Sequence, residues 1–352
     1  MSIAAARELV MAHGFNATAC QILNPGIAHW FASGTPAVVG YVRRRNVLIA
    51  AGDPVCAPGD LPRVAAAFET FARNQGCRVC YVCAEGRLRQ LLCTSDRYSA
   101  IAIGAQPAWD PRQWTARVAS RSSLRAQLAR ARNKGVTVEE IAPETARRSL
   151  ELAELTRRWL QTRRLPPMRF LAEPAPLDAT VAGRVVLVGR QYERAVALLL
   201  ASPVAARSGY LIELIARLPH TPNGTSELLI DAAMRRFGAE RRRFATLGLV
   251  ALAENARSEI RANPLWLRLL MALARAHANR FYNFRGLERF RAKMMPERWE
   301  PVYAVSNEPR FSIVTLYATG EAFAAGAPWR VLAAGALRAL REELATLRGA
   351  VR

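Results

Sequence analysis

Long apolar runs are what this sequence most plainly lacks. Across its 352 residues, no stretch approaches the roughly 18–20 uninterrupted apolar residues that a membrane span needs. The richest runs, around Ala195–Ala206 and Pro264–Ala274, are short or carry arginine, which excludes a bilayer-crossing helix. The first residues have neither the basic flank nor the compact apolar core of a secretory signal, so the chain is expected in the cytosol. Lysine is nearly absent, with Lys134 and Lys293 alone among 50 basic residues. Acids are scarce too: 28 of them leave a formal net charge of +22. Residues 1–135 hold 17 basic and 7 acidic side chains, so the excess is spread through the chain and is not a detachable tail. Such a field draws polyanions, either nucleic acid or an anionic bilayer surface. The arginine fork also grips phosphate oxygens as a lysine ammonium cannot.

A metal motif is missing as well. Cys77, Cys80 and Cys83 have CxxCxxC spacing, but they fall in GCRVCYVCAEG, a β-branched and aromatic run that reads as a strand. Alternation along a strand turns Cys80 away from Cys77 and Cys83, so buried free thiols are expected and no metal site. What is present is a globular composition, 51% hydrophobic, long enough for two domains.

The periodicities alternate between strand and helix. A hairpin is expected at Ala37–Tyr41 and Asn46–Ala50, ending in the Gly52-Asp53-Pro54 turn. A helix over Leu61–Gln75 buries Val64, Phe68 and Phe71. A strand at Arg78–Cys83, a short helix near Gly86–Cys93 and a strand at Ala100–Ile103 follow. Thr115–Asn133 reads as one basic helix with Arg117, Arg121 and Arg125 on one face. The pattern then begins again: a helix at Glu144–Arg163, strands at Arg184–Gly189, Ala195–Ala201 and Gly209–Ile215, a helix from Ser226 to Phe237 and a strand at Ala245–Leu249. The expectation is an α/β fold of mixed sheets in two similar lobes, residues 1–136 and 137–352.

Four motifs carry a resemblance. The last is FYNFRGLERFRAKMMPERWEPVY (281–303), a turn glycine between aromatic clusters with a basic helix behind it. Before it come GDPVC (52–56), SLRAQLARARNKGV (123–136) and YLIELIARLPHTPNGTSELLIDAAM (210–234). In this order they resemble the catalytic domain of the phosphatidylglycerol lysyltransferase family. The resemblance implies two tandem acetyltransferase-like (GNAT) lobes and transfer of an amino acid from aminoacyl-tRNA to the hydroxyl of an anionic membrane lipid. It implies no resident cofactor, since the aminoacyl ester is already activated, and a cytoplasmic protein working peripherally at the inner face of the membrane. Departures are visible. The family's Asp-Leu-Met-Arg strand is here Glu213-Leu214-Ile215-Ala216-Arg217, Arg291 replaces a usual lysine, and Met294 a usual phenylalanine. The multispan segment of many relatives has no counterpart, so product transport is not expected of this chain.

Ester exchange needs two substrates held together, a hydroxyl relieved of its proton and an oxyanion stabilised. Glu213, which interrupts an apolar strand, is the candidate acid/base or amine-positioning carboxylate. Arg217 is the candidate for phosphate or oxyanion, unless the two simply pair with each other. Asn223 lies at the start of the next helix, where ordinary capping by Thr225 or Ser226 is expected ahead of anion binding. Asn283, Arg285, Arg289 and Lys293 are the substrate-binding candidates, the last three recurring every fourth residue. Arg117, Arg121 and Arg125 are the candidates for the tRNA backbone. Two helices suit a membrane surface: Pro264–Ala278, expected to pack on its own domain, and Pro328–Arg348, the better membrane candidate. The rivals are a tRNA-dependent transferase with a peptide or peptidoglycan-precursor acceptor, an acyl-CoA N-acyltransferase, and a non-catalytic RNA- or membrane-binding protein. The second normally carries an Arg/Gln-x-x-Gly-x-Gly/Ala loop, and RARNKGV (130–136) has one glycine at the wrong spacing.

Overall fold

The computed structural model describes residues 2–162, 170–172, 181–253, 259, 261, 263–278 and 284–324. The expected helix at Pro328–Arg348 lies outside them. In the first half, strands β1 (Ala28–Phe31), β2 (Val38–Arg44) and β3 (Val47–Ala51) form an antiparallel meander. Helix α2 (Leu61–Asn74) then carries the chain to β4 (Arg78–Ala84), which pairs parallel with β3. In the second half, β6 (Val136–Ile141), β7 (Val185–Gln191), β8 (Arg194–Val204) and β9 (Gly209–Arg217) form the meander. Helix α8 (Thr225–Ala239) then leads to β10 (Phe244–Thr246), parallel to β9. The repeat of element order is thus a repeat of pairing: antiparallel meander, crossover helix, parallel partner.

The halves share one mixed sheet, ordered β1-β2-β3-β4-β12-β5-β10-β9-β8-β7-β6, with the short β11 (Val250–Ala251) also paired on β5. Strand β5 (Ser99–Trp109) follows the first half in sequence yet lies against β10 of the second. Strand β12 (Arg298–Ser306) follows the second half yet lies between β4 and β5. Each half therefore gives its last strand to the junction. Residues Trp299 and Tyr303 of the closing motif belong to β12, so part of that motif is sheet.

Helices cover both faces. In the first half, Phe68 of α2 packs with Tyr81 and Val305 on one face, and Ala318 of α11 (Ile313–Ala324) packs with Ile49 and Ala304 on the other. In the second half, α8 buries Leu229, Ala233 and Phe237 against Leu199 and Tyr210, while Leu152 and Leu155 of α7 (Leu150–Gln161) pack on Leu198 and Leu214. Among the described residues no helix is long and apolar enough to cross a membrane.

Three expectations change. The basic helix is two helices, α4 (Trp114–Ser120) and α5 (Ser122–Asn133), parted at Arg121, whose φ of −120° and ψ of 99° are extended. The helix expected over 144–163 is likewise α6 (Pro143–Arg148) and α7, parted at Ser149, whose side chain accepts from Leu152 N. Cys83 turns with φ +61° and joins Cys80 in one core cluster, while Cys77 lies in another. Strict alternation does not survive that turn.

Candidate active site

Strands β9 and β10 pair only from Gly209–Leu211 against Phe244–Thr246. Beyond Leu211 the two part, and β9 continues alone on that edge to Arg217. The register between β8 and β9 shifts between Leu200 and Ala201: Ala201 faces Ile212, Leu200 faces Leu214, and Glu213 is the extra residue of a bulge. A cavity of about 550 Å³ fills the gap. Its walls are Ile212–Ile215 and Arg217 of β9, Asn223, Gly224, Ser226 and Glu227 at the start of α8, and Leu247 after β10. Gln127 and Arg130 of α5, Trp159 of α7, and Leu287, Phe290 and Arg291 of α10 (Phe284–Lys293) complete it.

Glycine at 224 is required twice. Its φ is +97°, and a Cβ there would stand 2.1 Å from the Gln127 carbonyl oxygen of α5. Gly224, not Thr225 or Ser226, is the N-cap of α8, and no side chain caps that end; Thr225 Oγ1 instead donates to Pro222 O at 2.7 Å. The expected side-chain cap is thus absent, and the amides of the first turn start at the cavity wall.

Glu213 lines the cavity, yet its side chain is only 6% exposed. Oε1 accepts from Arg184 Nη2 at 2.6 Å and Ser202 Oγ at 2.8 Å, and Oε2 accepts from Gln21 Nε2 at 2.8 Å. Its ionic partner is therefore Arg184, just before β7, and not Arg217, which is exposed at the cavity rim. Beside this pair burial pushes the Cys20 thiol up to about 12, the charge of Glu213 adding to it and Arg184 opposing.

Lys293 Nζ lies 2.9 Å from Glu227 Oε1, tying α10 to the first turn of α8. Arg289 is exposed and off the cavity, whereas Arg291 lines it and donates to Gly248 O at 2.6 Å. Asn283 and the side chain of Arg285 lie outside the described residues. Arg117 pairs with Glu297 at 2.6 Å, and Arg125 donates to the Ala119 and Val118 carbonyls that end α4. The break at Arg121 separates the three arginines expected on one face.

Sequence reasoning missed Arg184, Gln21, Ser202, Arg130 and Trp159. Arg130 was within reach, being two helical turns past Ser123 on the basic motif; the others come from elements whose pairing no local pattern reveals.

The matching place in the first half holds buried polar side chains. Past β3 and β4, Asp53 accepts from Glu85 N at 3.1 Å and from Arg87 Nε at 2.7 Å. Glu85 Oε1 accepts from Ala17 N at 3.0 Å, and Arg207 reaches Glu85 at 3.3 Å and Glu300 at 2.6 Å. Gln106 donates to both glutamates, and the Arg207 guanidinium lies 3.4 Å over the Phe244 ring. Burial lifts Glu85 to about 7; Arg207 opposes this, and Asp53 and Glu300 reinforce it. Asp53 of the GDPVC motif thus belongs to a buried polar cluster, and the cavity described above lies in the second half.

Among solved structures, the chain is similar to the C-terminal domain of a protein assigned as a lysylphosphatidylglycerol synthetase from Agrobacterium fabrum. The TM-score is 0.74 at 22% identity, covering 92% of this chain and 97% of that one. It is similar to L-PGS from Bacillus licheniformis at TM-score 0.72 and 18% identity, covering 91% and 96%. A conserved protein of unknown function from Bacteroides thetaiotaomicron gives 0.60 at 11%, covering 87% and 97%. At these identities the likeness shows the fold. None of the curated proteins compared with the chain matches it. A profile of the family described as "Phosphatidylglycerol lysyltransferase, C-terminal" matches residues 7–306, from α1 (Ile3–His13) to the end of β12. The match takes in both meanders, the cavity and the exchanged strands, and the chain belongs to the phosphatidylglycerol lysyltransferase C-terminal family, transferases of lipid aminoacylation.

Proposed function

We propose that the protein moves an amino acid from aminoacyl-tRNA to the hydroxyl of a membrane lipid such as phosphatidylglycerol, at the inner face of the membrane. The observation that carries this reading is the cavity between β9 and β10, with Arg130, Arg217 and Arg291 in its walls. The lipid hydroxyl oxygen attacks the aminoacyl carbonyl carbon. A new ester C–O bond forms as the bond to the tRNA ribose oxygen breaks, and the proton passes from the lipid hydroxyl to that ribose oxygen. The atoms balance without a resident cofactor.

The roles follow from what each group touches. Three donors already occupy Glu213, so it acts as a fixed negative charge that orients the substrate's ammonium group, not as a proton shuttle. Arg217, exposed at the rim, meets a phosphate or the developing oxyanion. Asn223 and the uncapped start of α8 supply further donors. The tRNA approaches over α5, where Arg130 stands at the cavity.

The test is a transfer assay with radiolabelled aminoacyl-tRNAs and total lipid extract, following label into the organic phase. Label there, lost in Glu213→Ala and in the exposed Arg217→Ala, supports the reading. Label found only in a peptide acceptor, or none despite tRNA binding, removes the lipid acceptor.

A further inference from the structure

Helix α9 (Leu265–Ala278) was expected to pack on its own domain, and one side of it does. Leu267 is 2% exposed, Met271 packs against the same core cluster, and Asn263 fastens the preceding turn to both backbone polar groups of Ala102. Among the described residues, nothing covers the other side. Leu265 and Leu269 are 71% and 70% exposed, and Trp266 and Leu270 are 39% and 44% exposed. At about 100° per residue these four span an arc of roughly 140° opposite Leu267 and Met271. A helix apolar on its outer as well as its inner side is a poor surface for water alone, and four large side chains on one arc form a patch rather than scattered exposures.

Along the sequence, between Glu259 and Glu288, the charge has one sign. From Ile260 to Leu287 the sequence holds five arginines and no acid; Arg268 is exposed on α9, and Arg261 is exposed four residues before its first residue. The same acid-free segment ends inside α10 at Leu287, which lines the cavity. An apolar arc with a tryptophan, flanked by arginine on a protein of net charge +22, matches an acyl-chain boundary overlaid by phosphates.

We infer that α9 is the docking helix by which this protein rests on an anionic lipid bilayer. Leu265, Trp266, Leu269 and Leu270 enter the headgroup–acyl boundary, and Arg261 and Arg268 meet lipid phosphates. The inference rests on the lipid-acceptor reading, and its test runs without tRNA or turnover so that the two fail separately.

The measurement is co-sedimentation with vesicles of phosphatidylglycerol and phosphatidylcholine in equal parts, against phosphatidylcholine alone. Wild-type protein is expected to bind the anionic vesicles, and added salt to weaken binding. The Leu265→Ser, Leu269→Ser double variant is expected to lose about tenfold or more in partition, with an unchanged thermal melt because both sites are exposed. Aminoacyl transfer to detergent-dispersed lipid is expected to survive in that variant. Equal vesicle binding by wild type and variant overturns the inference. So does a wild-type dimer in sedimentation velocity that dissociates in the variant, which assigns the face to a second copy of this chain. α9-dependent vesicle binding without transfer to any lipid leaves the docking helix standing and removes the lipid-acceptor reading alone.

Discussion

At the scale of single residues, a buried carboxylate takes its character from the donors around it. Glu213 has an arginine, a serine and a glutamine on it, so its charge is matched and held in one place. Removing the arginine strands that charge: Arg184→Met is expected to cost about 3–5 kcal/mol in urea unfolding. A smaller loss than about 1 kcal/mol would mean that water reaches the carboxylate. Arg217 is the contrasting case. Exposed at the rim, it is expected to change stability by less than about 0.5 kcal/mol on mutation to alanine, yet to lower transfer about a hundredfold. Wild-type turnover in that variant removes it from the chemistry. Glu85 shares one arginine with Glu300 and stands near Asp53, and burial lifts it from 4.5 to about 7. The folded protein therefore holds an extra proton between those values. The stability this gives is complete below pH 4.5 and is lost as pH rises through 7, about 3 kcal/mol in all. Burial pushes Glu300 up, but the bonds and charge of Arg207, with Gln106 and Arg298, together hold it below its ordinary value, so its contribution has the opposite sign, present above 4.5 and lost as pH falls through its folded value. Urea unfolding across this window is expected to show a flatter decline in Glu85→Gln than in the wild type.

At the scale of elements, strands and helices whose own periodicity faces one core were legible, and the breaks were not. The hairpin β2–β3, helix α2 and the meander β7–β9 fall within a few residues of expectation. The basic helix misled because its buried residues lie on both sides of the break. Val118 and Leu124 enter the same core cluster, yet six residues along one straight helix are about 240° apart. The extended residue Arg121 resets the phase, and Arg125 then covers the open carbonyls of α4. Ala146 and Leu152, also six apart in one cluster, explain the break at Ser149 in the same way. The consequence for tRNA is specific. Arg125→Ala is expected to cost about 1 kcal/mol of stability with little change in tRNA affinity. Arg130→Ala, at the cavity, is expected to weaken tRNA binding and reduce its salt slope by about 1. Filter binding across a salt series separates the two, and the reverse pattern would move the interface to Arg125, at the junction of α4 and α5. At the neck between α5 and α8, Gly224→Ala combines a left-handed φ with the Gln127 contact, so a loss of more than about 1 kcal/mol is expected in urea unfolding.

At the scale of the molecule, the repeat of element order could be read from sequence because each meander and crossover is local. The exchange of last strands could not, since β12 meets β4 more than 200 residues earlier and nothing in either strand names the other. The exchange has a physical consequence. Strands β4 and β5 touch only through β12, and both cores of the first half draw on later residues: Val302, Ala304, Phe311 and Ala318 in one, Tyr303 and Val305 in the other. Residues 1–136 alone would carry β4 and β5 with unpaired edges and apolar faces open to water, a state prone to aggregate. Expressed separately, that fragment is expected to lack a cooperative melt, and to copurify with residues 137–352 when both are made in one cell. The intact chain is expected to unfold in a single urea transition, coincident by tryptophan fluorescence and far-UV circular dichroism, because no half can lose its sheet without taking a strand from the other. A cooperative melt of residues 1–136 alone would show that the meander and α2 hold the first half without the borrowed strand, and the junction would then be a docking of two finished lobes.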